Sequence, residues 1–141
     1  ISSNVMKLCE DNFQRLKESL ETKSLDLLIS DKLTHVNHQF DIIVSNPPYI
    51  KESSDKEGVH FQADRYEPHL ALYIRDEEYD AWFDDLFRQT FNNLNNGGYF
   101  IMEGHEDHLD AQLKTALNYY HHGEVLRDLT GAKRFLKLKK D

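Results

Sequence analysis

The feature that most constrains this chain is the apolar run Phe40-Asp41-Ile42-Ile43-Val44-Ser45, which breaks directly into Asn46-Pro47-Pro48-Tyr49. A short β-branched run bounded by a turn reads as a buried strand. Asn46 then stands at its carboxyl end, where open α/β sheets place their ligands. Asn46 offers a side-chain carbonyl acceptor. Pro47 and Pro48 have a fixed φ and no N–H, so the backbone carbonyls there stay rigid and can face a ligand. Tyr49 adds a flat ring for stacking. Fixed acceptors beside an aromatic plate suit a planar group bearing –NH2, either a carboxamide or the exocyclic amine of a nucleobase. The lone pair of such a nitrogen is delocalised, so it is a poor nucleophile. Acceptors that bind its two hydrogens as it becomes tetrahedral stabilise the transition state more than the ground state.

The rest of the chain alternates helix and strand. Ser2, Ser3 or Asn4 can cap a helix running to about Leu20, with Val5, Cys9, Phe13, Leu16 and Leu20 on its apolar face. Cys9 on that face reads as core rather than nucleophile. Leu25 to Ser30 reads as a short strand followed by Asp31. The segment from Ile50 to Arg75 is long, polar and irregular apart from Tyr66 to Tyr73, and loops of that length inside a compact domain are usually functional or disordered. Glu77 to Asn95 is the clearest helix: Tyr79, Trp82, Phe83, Leu86, Phe87, Thr90, Phe91 and Leu94 recur at three- and four-residue intervals until Asn96-Gly97-Gly98 stops it. That spacing makes Trp82 a packing residue rather than a stacking platform. A strand over Tyr99 to Glu103, a helix over Asp107 to Tyr120, and two strands, Glu124 to Leu129 and Lys133 to Lys139, about a Thr130-Gly131 turn complete the pattern. The fold class this implies is α/β, a doubly wound mixed sheet closing in a C-terminal antiparallel hairpin.

Composition excludes several functions. At 141 residues the chain is the size of one domain. Its net charge of −8 argues against a protein whose main business is gripping duplex phosphates. The basic residues gather near the end, at Lys133, Arg134, Lys137, Lys139 and Lys140, as a solvated strand face or a contact for an acidic partner. A single cysteine rules out an internal disulfide and fits a reducing cytoplasm, and no apolar run reaches membrane-spanning length. His105 and His108 lie three apart among acidic residues, but no second ligand pair stands out, so a solvated helix start is preferred to a metal site.

Asn-Pro-Pro-Tyr behind a strand resembles the signature of class I, S-adenosylmethionine-dependent methyltransferases that act on amino nitrogens. Three further stretches narrow the likeness: Arg65-Tyr66-Glu67-Pro68-His69-Leu70-Ala71-Leu72; Asn96-Gly97-Gly98-Tyr99 leading to Met102-Glu103-Gly104-His105; and Asp128-Leu129-Thr130-Gly131-Ala132-Lys133-Arg134. In that order they resemble the HemK/PrmC family of release factor N5-glutamine methyltransferases. The resemblance implies a Rossmann-like fold, S-adenosylmethionine as cofactor, and a peptide chain release factor as partner. Asn46, Pro47 and Tyr49 would act in catalysis, with Pro48 and Glu67 joining them to bind the substrate. Asp31 and Asn46 would contact the cofactor, Asp31 through the adenine amino group. Glu67 would fix a lid over the amide, and Glu103-Gly104-His105 would line the same cleft.

The resemblance also implies parts this sequence does not contain. No G-x-G occurs among its glycines, so the expectation is the C-terminal portion of one catalytic domain, without the substrate-recognition segment, the glycine-rich cofactor loop or the first β-α-β. The Leu25 and Phe40 strands would normally be separated by two strands. The isolated chain is therefore expected to re-pair Leu25 with Phe40 in a new register, or to form an edge-paired or swapped dimer. Two other functions remain open: methylation of adenine or guanine amino groups in nucleic acid, and non-catalytic binding of release factor.

Overall fold

The computed structural model describes residues 3–17, 26–59 and 61–141, which fall into two compact units, Ile1–Val36 and Asn37–Asp141.

In the first unit, α1 spans Ser3–Leu16, with Arg15 in its last turn, where a cation complements the helix dipole. Its expected continuation to Leu20 runs into residues outside those described. The apolar positions Val5, Leu8 and Leu16 are exposed, and so is Cys9, which overturns the expectation of a core cysteine. Residues 26–30 form no strand, contrary to the strand expected over Leu25 to Ser30; Leu25 itself is outside the described residues. The physical reason is that apolar composition does not make a strand without a hydrogen-bonded neighbour, and Leu28 and Ile29 stay exposed here.

The second unit holds a four-stranded sheet made of β1 (Phe40–Ser45), β4 (Leu94–Glu103), β5 (His122–Arg127) and β6 (Lys133–Lys139), in the order β1-β4-β6-β5. β1 and β4 are parallel, while β4 with β6 and β6 with β5 are antiparallel, which is the mixed sheet with a closing hairpin that the pattern implied. Side chains alternate across it. Phe100, Met102, Leu136 and Leu138 are fully buried and pack with Phe83 and Phe87 from α4 (Tyr79–Asn93), Leu109 from α5 (Leu109–Ala116) and Tyr120 from the turn that follows α5. Trp82 packs against this cluster, as its helical spacing required. The Tyr120 hydroxyl is satisfied inside the core by Thr90 Oγ1 at 2.9 Å.

The boundaries differ from the sequence pattern where backbone groups are captured from a distance. α4 stops at Asn93, and Lys140 Nζ donates to the carbonyls of Phe91 and Leu94 at 2.9 and 2.8 Å, which closes its C-terminus. β4 starts at Leu94 rather than Tyr99: Leu94 pairs with Phe40, and the register then slips so that Ile42 faces Tyr99. The slip accommodates the glycine pair. Gly97 takes a φ of +82°, and a Cβ on Gly98 would lie 2.9 Å from the Asn95 carbonyl and 3.0 Å from that of Asp41.

The segment after the proline turn is more ordered than its polarity suggested. It contains β2 (Ile50–Lys51), a 3₁₀ turn at Lys56–Gly58, α2 (Phe61–Tyr66), α3 (His69–Leu72) and β3 (Tyr73–Ile74), with β2 parallel to β3. Asp76 holds it by accepting from the N–H groups of Ser53 and Ser54 and from the Ser54 hydroxyl. Among the described residues β1 is an edge strand whose neighbour in the sheet is β4. The strand expected to re-pair with β1 is not formed over residues 26–30.

Candidate active site at the carboxyl end of β1

Parallel pairing sets Ser45 opposite Met102, so Asn46 and Glu103 emerge together at the carboxyl edge of the sheet. The chain then turns sharply. Asn46 is exposed, Pro47 is buried, and Pro48 and Tyr49 are half-buried. A cavity of about 500 Å³ opens there. Asn46, Pro47 and Tyr49 line it from the turn, and Glu67, His105 and Arg134 reach it from other elements. Among the described residues the Asn46 carboxamide has no hydrogen-bond partner, which leaves its carbonyl available to a ligand. Pro48 is not a lining residue.

Tyr49 is anchored at both ends. Its hydroxyl donates to Glu103 Oε1 at 3.1 Å, and its backbone carbonyl accepts from the Tyr79 hydroxyl at 2.9 Å. Tyr79 in turn accepts from Gln112 Nε2 at 3.1 Å, so a buried chain of hydrogen bonds ties the turn to α4 and α5. Burial pushes the Tyr49 phenol above its ordinary value, the charge and hydrogen bond of Glu103 push it further, and Arg134 partly opposes them. Burial also raises Tyr79 strongly. Both tyrosines are therefore neutral donors at physiological pH.

The wall opposite the turn is built by the segment through Leu72. Asp55 Oδ2 accepts from the Lys51 N–H at 2.9 Å and faces His108 Nε2 at 2.8 Å. Burial pushes the Asp55 carboxyl up, but these two hydrogen bonds outweigh it and hold the group below its ordinary value. His108 stacks on His105 with ring centres 4.9 Å apart, and among the described residues no group of three or more acidic, histidine or cysteine side chains could hold a metal. Glu67 lines the cavity, but its described hydrogen bond is a backbone one, from its N–H to the Ala63 carbonyl at 3.0 Å. The loop is held by Asp55 and Asp76 rather than by the Glu67 side chain.

The site residues read from the sequence thus divide. Asn46, Pro47, Tyr49 and Glu67 share one cavity, joined by His105, which sequence placed in the same cleft. Asp31 belongs to the first unit, where its carboxylate side chain is exposed and its carbonyl opens a turn by accepting from the N–H and hydroxyl of Thr34 at 3.1 and 2.7 Å. Arg134 and Tyr79 were missed. Tyr79 carries only a helix-face signal, and Arg134 stands in the closing stretch without a local sign of its target.

The family model of the Eco57I restriction-modification methylase matches residues 2–103. The release factor glutamine methyltransferases of Flavobacterium psychrophilum and Koribacter versatilis are 32% and 34% identical to the chain; each match covers 73% of this chain and, respectively, 36% and 35% of the relative. A bifunctional methyltransferase of Rickettsia typhi is 28% identical over 98% of this chain and 26% of its own length. The chain thus spans about a third of the length of the relatives it matches. The crystal structure of TrmN from Thermus thermophilus superposes with a TM-score of 0.60 at 19% identity, covering 99% of this chain and 34% of that one, which establishes the class I methyltransferase fold. Fold and family together imply a methyl donor. A parallel strand ending in Asn46-Pro47-Pro48-Tyr49, set in that fold and matched over residues 2–103, places the chain in the family of Eco57I restriction-modification methylases, with release factor glutamine methyltransferases among its relatives.

Proposed function

We propose that the protein carrying this chain transfers a methyl group to the side-chain amide nitrogen of glutamine in the Gly-Gly-Gln motif of a translation release factor. The chain would supply the acceptor side of the catalytic domain, in keeping with its covering about a third of its relatives' length. The observation that carries the reading is the Asn46 carboxamide beside a Tyr49 ring anchored at both ends, in one cavity with Glu67. The pair of acceptors suits an amide: Asn46 Oδ1 and the carbonyl at Pro47 accept its two hydrogens, and the amide plane packs on Tyr49. S-adenosylmethionine would supply an activated methyl carbon for in-line displacement, with Asn46 beside it and Asp31 the residue assigned to its adenine. No strong base is needed, because the nitrogen becomes acidic only as it is alkylated and water can take the proton. Positioning and electrostatics do the work. The setting would be the cytoplasm, in keeping with the absence, among the described residues, of any helix long and apolar enough to cross a membrane.

The second reading has the same cavity receive the amino group of adenine or guanine in nucleic acid, and the family model's name favours it. The net charge of −8 disfavours it. Incubating the full-length protein with radiolabelled methyl donor, release factor and oligonucleotides separates the two. Label in release factor supports the first reading, and label in oligonucleotide alone overturns it. Binding of release factor with no transfer to any acceptor would make the protein a non-catalytic binder.

A further inference from the structure

The closing stretch from Asp128 to Arg134 has no role in the chemistry so far described, yet its last residue lines the acceptor cavity. Its turn is built around one carboxylate. Asp128 Oδ1 accepts from the N–H groups of Thr130 and Ala132 at 2.8 and 3.2 Å and from the Thr130 hydroxyl at 2.6 Å, while Gly131 takes a φ of +89° to close the turn. That leaves Oδ2 free to receive Arg134 Nε at 3.3 Å. The guanidinium is thereby aimed across the sheet edge, where Nη1 lies 4.0 Å from Glu103 Oε1. That same oxygen accepts the Tyr49 hydroxyl. The backbone reinforces the path: Glu103 pairs with Phe135, and the Gly104 N–H donates to the Arg134 carbonyl at 3.0 Å.

We infer that Asp128 and Arg134 are positioning residues that hold Glu103, and that Glu103 sets the ring of Tyr49 against the acceptor group. The inference rests on the reading of the cavity as an amide-methylating site. A ring tied only through its own backbone could still turn about its side-chain torsions. Fixing the hydroxyl as well leaves one plane for the acceptor to pack on, and catalysis by positioning is sensitive to small displacements. Glu103 is a carboxylate half open to water, and a lone flexible carboxylate would hold the phenol loosely. Arg134, itself oriented by Asp128, supplies the second contact that restricts it.

The electrostatics give a readout that a merely structural role would not move. Glu103 raises the Tyr49 phenol and Arg134 lowers it, so the two neutralising variants should move the phenol in opposite directions. The test uses the full-length protein with isotope-labelled tyrosine, the Tyr49 resonance being identified by its loss in Tyr49→Phe. In alkaline titration Glu103→Gln should lower the Tyr49 midpoint, whereas Arg134→Met should raise it. In steady-state transfer, Arg134→Met should raise the acceptor KM by about tenfold and leave the cofactor KM unmoved, with Arg134→Lys recovering part of the loss. In the Tyr49→Phe background, which has no hydroxyl to hold, Arg134→Met should add little. An unshifted Tyr49 midpoint in both Glu103→Gln and Arg134→Met would overturn the inference, and so would equal effects of Arg134→Met with and without the Tyr49 hydroxyl. If the wild-type protein transferred methyl to no acceptor, the functional reading would fail while the opposed phenol shifts still decided the positioning.

Discussion

At the scale of single residues, Asn46, Pro47 and Tyr49 are proposed to meet the acceptor, while Glu103, Tyr79 and Arg134 hold the turn that carries them. Asn46→Ala in the full-length protein should lower kcat by about 10² or more with the cofactor affinity nearly unchanged, because Asn46 is read as facing the accepting nitrogen. Equal loss of cofactor binding, measured by calorimetry, would place Asn46 in the other half of the site. Tyr79→Phe removes the donor to the Tyr49 carbonyl and the acceptor of Gln112, so it should destabilise the fold by about 1–3 kcal/mol in chemical denaturation. The cavity-lining residues of the turn were legible because Asn-Pro-Pro-Tyr combines residue types that few structural roles require together. The holding residues were not. Tyr49 finds Glu103 across 54 positions and Tyr79 finds Tyr49 across 30, and no periodicity records which side chains a fold brings together over such distances. Arg134 was visible in the basic cluster and the closing stretch, and Glu103 as a residue of the cleft, but nothing in the sequence showed that the two meet.

At the scale of elements, the strongly periodic segments behaved as their patterns demanded, and the departures come from partners supplied elsewhere. The helix of Trp82, Phe83, Leu86 and Phe87 needed only its own spacing to be read. Its end at Asn93 depends on Lys140, which lies beyond the last strand and donates to the carbonyls of Phe91 and of the capping residue Leu94. Lys140→Met should therefore destabilise the unit by about 1–2 kcal/mol in thermal or chemical unfolding, since it removes charge-assisted bonds to carbonyls at a helix C-terminus. An unfolding midpoint unchanged from wild type would show the cap to be idle. The hairpin turn carries a pH signature. Hydrogen bonds from the Thr130 side chain, then from backbone N–H groups and Arg134, outweigh partial desolvation and lower Asp128 from an ordinary 3.8 to about 2. A depressed carboxyl stabilises the fold above its unfolded value, and that contribution disappears as pH falls through the folded value. Order in the Thr130-Gly131 turn should thus persist down to about pH 4 and be lost towards pH 2, and Asp128→Asn should flatten this dependence. The strand expected at Leu25 to Ser30 shows the opposite limit. Leu27, Leu28 and Ile29 supply β-sheet composition, but a ladder requires a neighbour, and composition cannot report one.

At the scale of the whole molecule, the parallel strand that carries the site is also an exposed edge. Ile42 is 61% and Val44 72% exposed on β1, and an uncovered apolar edge recruits other chains. The 141-residue chain by itself should self-associate in a concentration-dependent way in sedimentation or scattering, and Val44→Lys should return it towards monomer. The same chain should bind S-adenosylmethionine at best in the millimolar range, roughly −4 kcal/mol, because it contains no G-x-G through which backbone could approach the cofactor closely. The central claim is that the cavity behind β1 accepts a glutamine amide. Its most direct test is transfer of labelled methyl by the full-length protein, comparing wild type with Asn46→Ala, to release factor and, separately, to the same factor with the Gly-Gly-Gln glutamine replaced. Wild type should place label at that glutamine, Asn46→Ala should lose at least about 10² in turnover, and the replaced factor should take no label. Label that persists on the replaced factor, or that appears in oligonucleotides and not in release factor, would contradict it.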